Sequence, residues 1–286
     1  MTAREPEGAQ PAAPDAIRVE DVQKSFDTQP VLRGINLKVT RGELVAIVGN
    51  SGGGKTVLLH CIIGHIKPDA GRVLVADFSS PGAPLLDVAA IDEDGLDRLR
   101  LNWAIVFQRN ALFTGTVFEN IALGPREIRG ESDEEITPKA RAALSAVGLD
   151  PDLVLTRSRD DLSGGMAKRV AIARALVMDP ALIFYDEPTA GLDPEHSQLV
   201  HELIASTHAR AAGGGFERTS IVVTHDTALL ARLRPRIIML HEGRVFFDGP
   251  FEEFQRTDSA PIRPYFQTMS AVHACERESR VPRRYF

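Results

Sequence analysis

One octapeptide, Gly49-Asn50-Ser51-Gly52-Gly53-Gly54-Lys55-Thr56, has the spacing G-x-x-x-x-G-K-[ST]. That spacing is suited to holding a polyphosphate against backbone N–H groups with no side chain in between. Glycines permit the close approach and the positive-φ conformations of the tight turn. Lys55 adds a mobile cation for the outer phosphates, and the Thr56 hydroxyl can ligate Mg²⁺. A second pair of groups, Asp186 and Glu187, ends the apolar run Leu182-Ile183-Phe184-Tyr185-Asp186 and is stopped by Pro188. A phosphate loop needs an acidic residue at the end of a neighbouring buried strand to hold the Mg²⁺ hydration shell. The adjacent carboxylate of Glu187 is placed to orient and activate a water for attack on the terminal phosphate. By themselves two acids at a strand end are ordinary solvated charges; beside a phosphate loop they become candidates for catalysis.

A third group lies upstream, where Leu162-Ser163-Gly164-Gly165-Met166 opens the long segment Ala167 to Leu176. A serine and two glycines at the start of an amphipathic helix read as a second helix N-terminus addressed to phosphate. One nucleotide does not need two such cradles from one chain. The second therefore serves a partner's nucleotide, which predicts a dimer.

The elements that must carry these groups follow from the apolar patterning. Residues 1–15, rich in Ala, Pro, Glu and Gln, read as a disordered lead-in. Two strands are expected at Ile17–Val22 and Ile35–Val39, with a turn and Phe26 between them. Glu43–Val48 is a strand entering the glycine loop, and Thr56–Ile63 is a helix leaving it. Lys67-Pro68-Asp69-Ala70-Gly71 is a turn, followed by a strand at Arg72–Ala76 and a surface loop at Ser79–Pro84. Between Gly95 and Leu162 the character turns helical, with Ser132 as N-cap of a segment ending at Val147-Gly148. Strands return at Ala181–Asp186 and Thr219–Thr224, and a hairpin over Arg236–Leu240 and Arg244–Phe247 turns on His241-Glu242-Gly243.

Composition narrows the class. The 286 residues are 43% apolar and 25% charged, as in ordinary globular proteins. A formal net charge of −6 argues against a sequence-independent nucleic-acid binder. No stretch approaches the length of a membrane span and no signal-peptide pattern is present, so the expected location is cytosolic. The two cysteines, Cys61 and Cys275, have no metal-ligand spacing, and Cys61 reads as a buried thiol.

From about residue 17 to 250 the chain resembles the ATP-binding subunit of an ABC transporter. Gly49 to Thr56 resemble its Walker A loop, Leu182 to Asp186 its Walker B strand, and Leu162 to Met166 its LSGGQ signature. The resemblance implies that Glu187 is the catalytic glutamate and that Gln108 is the Q-loop glutamine, touching Mg²⁺ and sensing the membrane partner. It implies that His225 is the switch histidine on the γ-phosphate, that Asp193 belongs to the interface-crossing D-loop, and that Phe26 stacks on adenine. The implied fold is α/β: a P-loop NTPase (RecA-like) core with an N-terminal antiparallel β-subdomain and an inserted α-helical subdomain at about 96–164. The resemblance further implies a C-terminal extension from 251 to 286 that stabilises the dimer. The implied cofactors are ATP and Mg²⁺.

The implied assembly is a head-to-tail homodimer on integral membrane permease subunits, at the cytoplasmic face of the inner membrane. Each ATP would lie between Lys55 of one copy and Ser163-Gly164-Gly165 of the other. Met166 stands where most of the family has glutamine, which resembles the lipid-transporting Mla and Mce systems and implies phospholipid cargo with an Mce-type partner. The same motifs also serve amino-acid or metal importers, lipoprotein release and non-transport signalling ATPases. Phe113 is a candidate for the groove that receives a permease helix, or for packing inside the insertion.

Overall fold

The computed structural model describes residues 14–266, apart from 51, 80, 81, 109–111, 213 and 214. The chain opens with two long strands, β1 (Asp15–Phe26) and β2 (Gln29–Thr40), and then β3 (Leu44–Gly49) leads into helix α1 (Lys55–Ile62). Strands β4 (Ala70–Ala76) and β5 (Leu85–Asp87) complete an antiparallel sheet in the order β2-β1-β4-β5. Its strands alternate buried and exposed residues because one face packs inward and the other meets solvent.

Helix α2 (Glu93–Arg100) and the short strand β6 (Trp103–Val106) come next, followed by α3 (Val117–Arg129), α4 (Asp133–Ala146) and α5 (Pro151–Val154). Helix α6 (Gly164–Leu176), β7 (Leu182–Asp186), α7 (Pro194–His208), β8 (Thr219–Val223) and α8 (Thr227–Leu233) bring the chain to the hairpin β9 (Arg236–His241) and β10 (Arg244–Pro250). Helix α9 (Phe251–Arg256) packs behind that hairpin. The second sheet runs β10-β9-β3-β8-β7-β6; β9 to β6 are parallel and β10 is its antiparallel edge. Strands β7 and β8 are buried along their whole length, which explains the apolar runs at 182–185 and 221–223 within them.

Three apolar clusters hold the layers together. The first joins one face of the parallel sheet to α1 and the antiparallel sheet. The second lies on the opposite face, under α3, α4, α6 and α7. The third fills the remaining part of that face, beneath β3 and β9, with Phe251, Phe254, Ile262 and Tyr265. Cys61 is buried in the first cluster, and burial pushes its thiol up to about 11. Cys275 lies outside the described residues.

The expected elements are present with longer strands at the N-terminus. Helix α2 bears out the change to helix near Gly95, but the stretch is then interrupted by β6, which pairs with β7 and belongs to the parallel sheet. Four residues carry too little periodicity to reveal a strand by themselves. Helix α3 is punctuated by a capping box, Thr116 with Glu119, as α4 is by Ser132 with Glu135. The hairpin turns at Glu242 (φ 48°) and Gly243 (φ 77°), both left-handed as a two-residue turn between twisted strands requires. No described helix is long and apolar enough to cross a membrane.

Candidate functional site

The glycine loop connects β3 to α1, and its geometry explains its composition. Gly49 has φ 147°, and a Cβ there would collide with the Leu240 carbonyl of β9. Gly54 has φ 90° and closes on β2, where a Cβ would stand 2.8 Å from Leu32 Cδ2 and 3.2 Å from the Val31 carbonyl oxygen. The loop is thus wedged between two sheets. Gly54 also caps α1, without any side-chain hydrogen bond to the first-turn amides. Every other described helix of seven or more residues begins under a side-chain cap. The uncapped N–H groups and the helix dipole leave α1 open to an anion.

Lys55 Nζ donates to the carbonyl oxygens of Gly49 (2.8 Å) and Asn50 (3.1 Å). Burial pulls its pKa down, while the charges of Glu187 and Asp186 push it up. Asp186 ends β7 and is 6% exposed, with its Oδ1 buried and without a hydrogen-bond partner. Burial and the neighbouring Glu187 charge both raise its pKa. A buried carboxylate oxygen with no donor is a position that a cation satisfies.

Glu187 takes the left-handed conformation, φ 45°, which costs an ordinary residue roughly 1–2 kcal/mol. Its amide donates to the Val223 carbonyl at 2.8 Å, so the chain stays pinned to β8 through the turn. His225 Nδ1 lies 2.9 Å from the Glu187 carboxylate. An ionised carboxylate only accepts, so Nδ1 carries the hydrogen and the other ring nitrogen, Nε2, is left to meet a ligand. Next to it, Asp226 accepts from His201 Nε2 (2.8 Å) and the Thr189 hydroxyl (2.8 Å). Desolvation pushes Asp226 up, but these bonds and the Leu229 amide outweigh it and hold the carboxyl down at about 2.

Gly49, Asn50, Lys55, Glu187 and His225 line one cavity of about 310 Å³, together with Thr227, Pro264 and Tyr265. Thr56 follows Lys55 on the first turn of α1 and is exposed. Gln108 is exposed just beyond β6, the neighbour of β7. Lys168 of α6 is 1% exposed and donates to the carbonyls of Phe107 (2.8 Å) and Gln108 (3.1 Å), tying the signature helix to the Gln108 segment. Burial pulls Lys168 down to about 8, against the charges of Asp186 and Glu187. Gly52 and Gly53 complete the loop, and Ser51 lies outside the described residues. Phe26 sits at the tip of the β1–β2 hairpin, 44% exposed, with Lys24 Nζ 5.6 Å from its ring centre.

The lining of that cavity does not include the expected site residues Ser163, Gly164, Gly165 and Asp193, nor Phe26, Thr56, Gln108 and Asp186. Ser163 and Gly164 are exposed at the start of α6, and Gly165 lies against the His196 ring. Asp193 caps α7, accepting from the His196 amide at 3.0 Å and lying 2.6 Å from its Nδ1. Three features of the region carry no motif: the Lys168 bridge, the His201–Asp226–Thr189 network and Tyr265. Phe113 is 55% exposed, with the Arg174 guanidinium 5.1 Å from its ring centre.

Residues 32–190 match the ABC transporter family. The chain is 36% identical over 255 residues to the histidine transport ATP-binding protein HisP of Pseudomonas aeruginosa, covering 87% of this chain and 97% of that protein. It is also 36% identical over 266 residues to protein TRIGALACTOSYLDIACYLGLYCEROL 3, chloroplastic, of Arabidopsis thaliana, covering 89% and 74%. Its fold superposes with a TM-score of 0.70 and 30% identity on the ATP-binding cassette MJ0796, solved as a dimer bound to ADP and Pi, covering 82% and 98%. The chain belongs to the ABC transporter family, as one of its ATP-binding subunits.

Proposed function

We propose that the chain hydrolyses ATP at the Gly49–Thr56 loop to power a multi-subunit transporter whose cargo is phospholipid or another lipid. One observation carries the catalytic part: Lys55, Glu187 and His225 converge on a single cavity beside the uncapped start of α1. The triphosphate lies along the α1 amides, with Lys55 moving from the Gly49 and Asn50 carbonyls onto its outer phosphates and Phe26 under the adenine. Glu187 orients the attacking water and accepts its proton at the carboxylate. His225 holds Glu187 through Nδ1 and offers Nε2 to the γ-phosphate. Asp186, Thr56 and Gln108 would hold Mg²⁺. The unpartnered Asp186 oxygen fits that ion, which when bound neutralises charge on the phosphate oxygens.

Among the described residues no cluster of three or more His, Cys, Asp or Glu forms a closed cage. One carboxylate and a hydroxyl, with substrate phosphates, suit Mg²⁺ better than such a cage. In the dimer, Ser163, Gly164 and Gly165 of one copy close over the nucleotide of the other, and Asp193 lies at that interface. The dimer works on membrane permease subunits at the cytoplasmic face, with residues around Phe113 in the contact and an Mce-type lipid-binding partner in the complex.

Lipid cargo is supported by Met166 in the signature, packed against the helical cluster, and by the relative named for a galactosylated diacylglycerol. Amino-acid import is the second reading, favoured by similarity along almost the whole of the histidine transport protein. Native purification of the chain with its membrane partner, followed by mass spectrometry of bound lipid, decides between them. Co-purified phospholipid is the expected result. A partner that instead binds a free amino acid and carries no lipid would overturn the cargo assignment.

A further inference from the structure

The cavity that holds Lys55, Glu187 and His225 has a wall from the far end of the described chain. Tyr265, 216 residues after Gly49, accepts a hydrogen bond from the Gly49 amide at 2.7 Å. The ring is 7% exposed and stands edge-on to Phe254, 5.7 Å between centres. Phe254 and Ile262 around it are fully buried. A single turn, Arg263–Phe266, is therefore fixed in place by the third apolar cluster rather than lying loose on the surface.

We infer that Tyr265 is a positioning residue of the nucleotide site, holding the first residue of the glycine loop in its ligand-ready conformation. The inference rests on the assignment of ATP to this loop, and two features of Gly49 lead to it. First, Gly49 is the point where β3 stops being a strand: φ reaches 147° and the neighbouring Leu240 carbonyl leaves no room for a side chain. Second, Gly49 is held by polar bonds from both sides, its N–H by Tyr265 and its C=O by Lys55. These two holds have different fates when a triphosphate arrives. Lys55 must turn its ammonium from the Gly49 and Asn50 carbonyls to the phosphates, so its grip on the loop weakens at the moment of binding. The Tyr265 bond does not compete with the ligand, because the Gly49 amide lies before the helix N-terminus that receives the phosphates.

Tyr265 thus keeps the loop in register while Lys55 changes partners, and the cost of ordering the loop falls before the ligand arrives. Burial keeps the phenol neutral, with its pKa pushed up to about 12, so the oxygen remains an acceptor throughout the physiological range. A neutral phenol that accepts once also retains its hydrogen for donation. The C-terminal segment 258–266 is then part of the ATP site and not an appendage to it.

Tyr265→Phe tests this in the full-length chain, because it keeps the ring in its cluster and removes only the hydroxyl. MgATP binding by titration calorimetry should weaken about five- to tenfold, the size of effect expected for one lost hydrogen bond. KM should rise by the same factor while kcat at saturation stays within about twofold, since the bond acts before chemistry. Without nucleotide, hydrogen exchange at the Gly49 amide should quicken by about tenfold or more, with α9 unchanged. A variant that binds MgATP within about twofold of the parent, or that protects Gly49 as well, overturns the inference. The exchange measurement needs no nucleotide. A parent chain that fails to bind MgATP while Tyr265→Phe still frees Gly49 therefore refutes the ATP assignment alone.

Discussion

Helix α1 starts at Gly54 with no side chain on its first amides, whereas α6 starts at Ser163, whose hydroxyl accepts from the Met166 amide at 3.2 Å. Around the first start stand Lys55, Asp186 and Glu187, screened from solvent and acting on one another's charges, with the exposed His225 ring against Glu187. Around the second, Ser163 and Gly164 face solvent, and a side chain added at Gly164 would meet nothing within 4 Å. The first can grip a polyphosphate by itself, since it has both the donors and the cation. The second has donors and a dipole only, and the Ser163 hydroxyl hydrogen remains available for a phosphate oxygen. On the proposed reading the difference is a division of labour: one region would bind and do the chemistry, and the other would act when a ligand is brought to it.

The largest expected effect breaks the first region's chemistry and leaves its grip. Glu187→Gln removes the proton acceptor and should lower kcat by about 10²–10⁴-fold. MgATP binding should persist, because Lys55 and the α1 amides are untouched. Steady-state turnover and calorimetry on the same sample check both halves, and near-normal turnover would remove Glu187 from its role. Lys55→Ala does the opposite, deleting the cation from an otherwise intact cradle. Charge-assisted hydrogen bonds to phosphate are among the stronger ones, so MgATP affinity should fall about 10- to 100-fold. An affinity within a factor of two of the parent would mean that the amides alone suffice.

Gly164→Asp sharpens the comparison from the other side. The open space at Gly164 lets the variant fold, and a carboxylate at the start of α6 repels phosphate. The isolated subunit should bind MgATP like the parent, while ATP-driven dimerisation, read by light scattering in a Glu187→Gln background, should weaken about tenfold. Unchanged dimerisation would show that α6 meets no phosphate across an interface.

These two regions were not equally legible in the sequence. The loop and the signature are short stretches that spacing exposes, whereas the Asp186-Glu187 pair becomes a candidate only beside the loop. The strands buried on both faces were legible from their apolar runs at 182–185 and 221–223, whereas their order in the sheet was not. Strand β6 was hidden by its length, and Gln108, just beyond it, was reached through the family resemblance and not through the strand. Tyr265, Lys168 and the His201–Asp226–Thr189 network were invisible for another reason. Each joins residues between 25 and 216 positions apart, and no local pattern encodes a tertiary hydrogen bond. The buried position of Lys168 was especially hard to foresee, since lysines are almost never fully buried unless paired.

The smallest expected effect separates the two regions by pH. Asp226 follows His225 directly and starts α8, and its carboxylate ties α7 to the end of β8 through His201 and Thr189. Its folded value of about 2 lies below the ordinary 3.8, so the folded state prefers the ionised form. The sign follows: the stabilisation is present above about pH 4 and is lost as pH falls towards 2. A carboxyl held that far down contributes about 2 kcal/mol. Helix α6 caps with a serine hydroxyl, which does not titrate in that range. Acid should therefore loosen the β8–α8 corner carrying His225 first, seen as faster exchange of the Ala228 and Leu229 amides, with the Met166 amide still protected. Asp226→Asn should flatten the response between pH 4 and 2. If both corners open together, the two regions share one cooperative unit and the His225 side has no acid-sensitive anchor of its own.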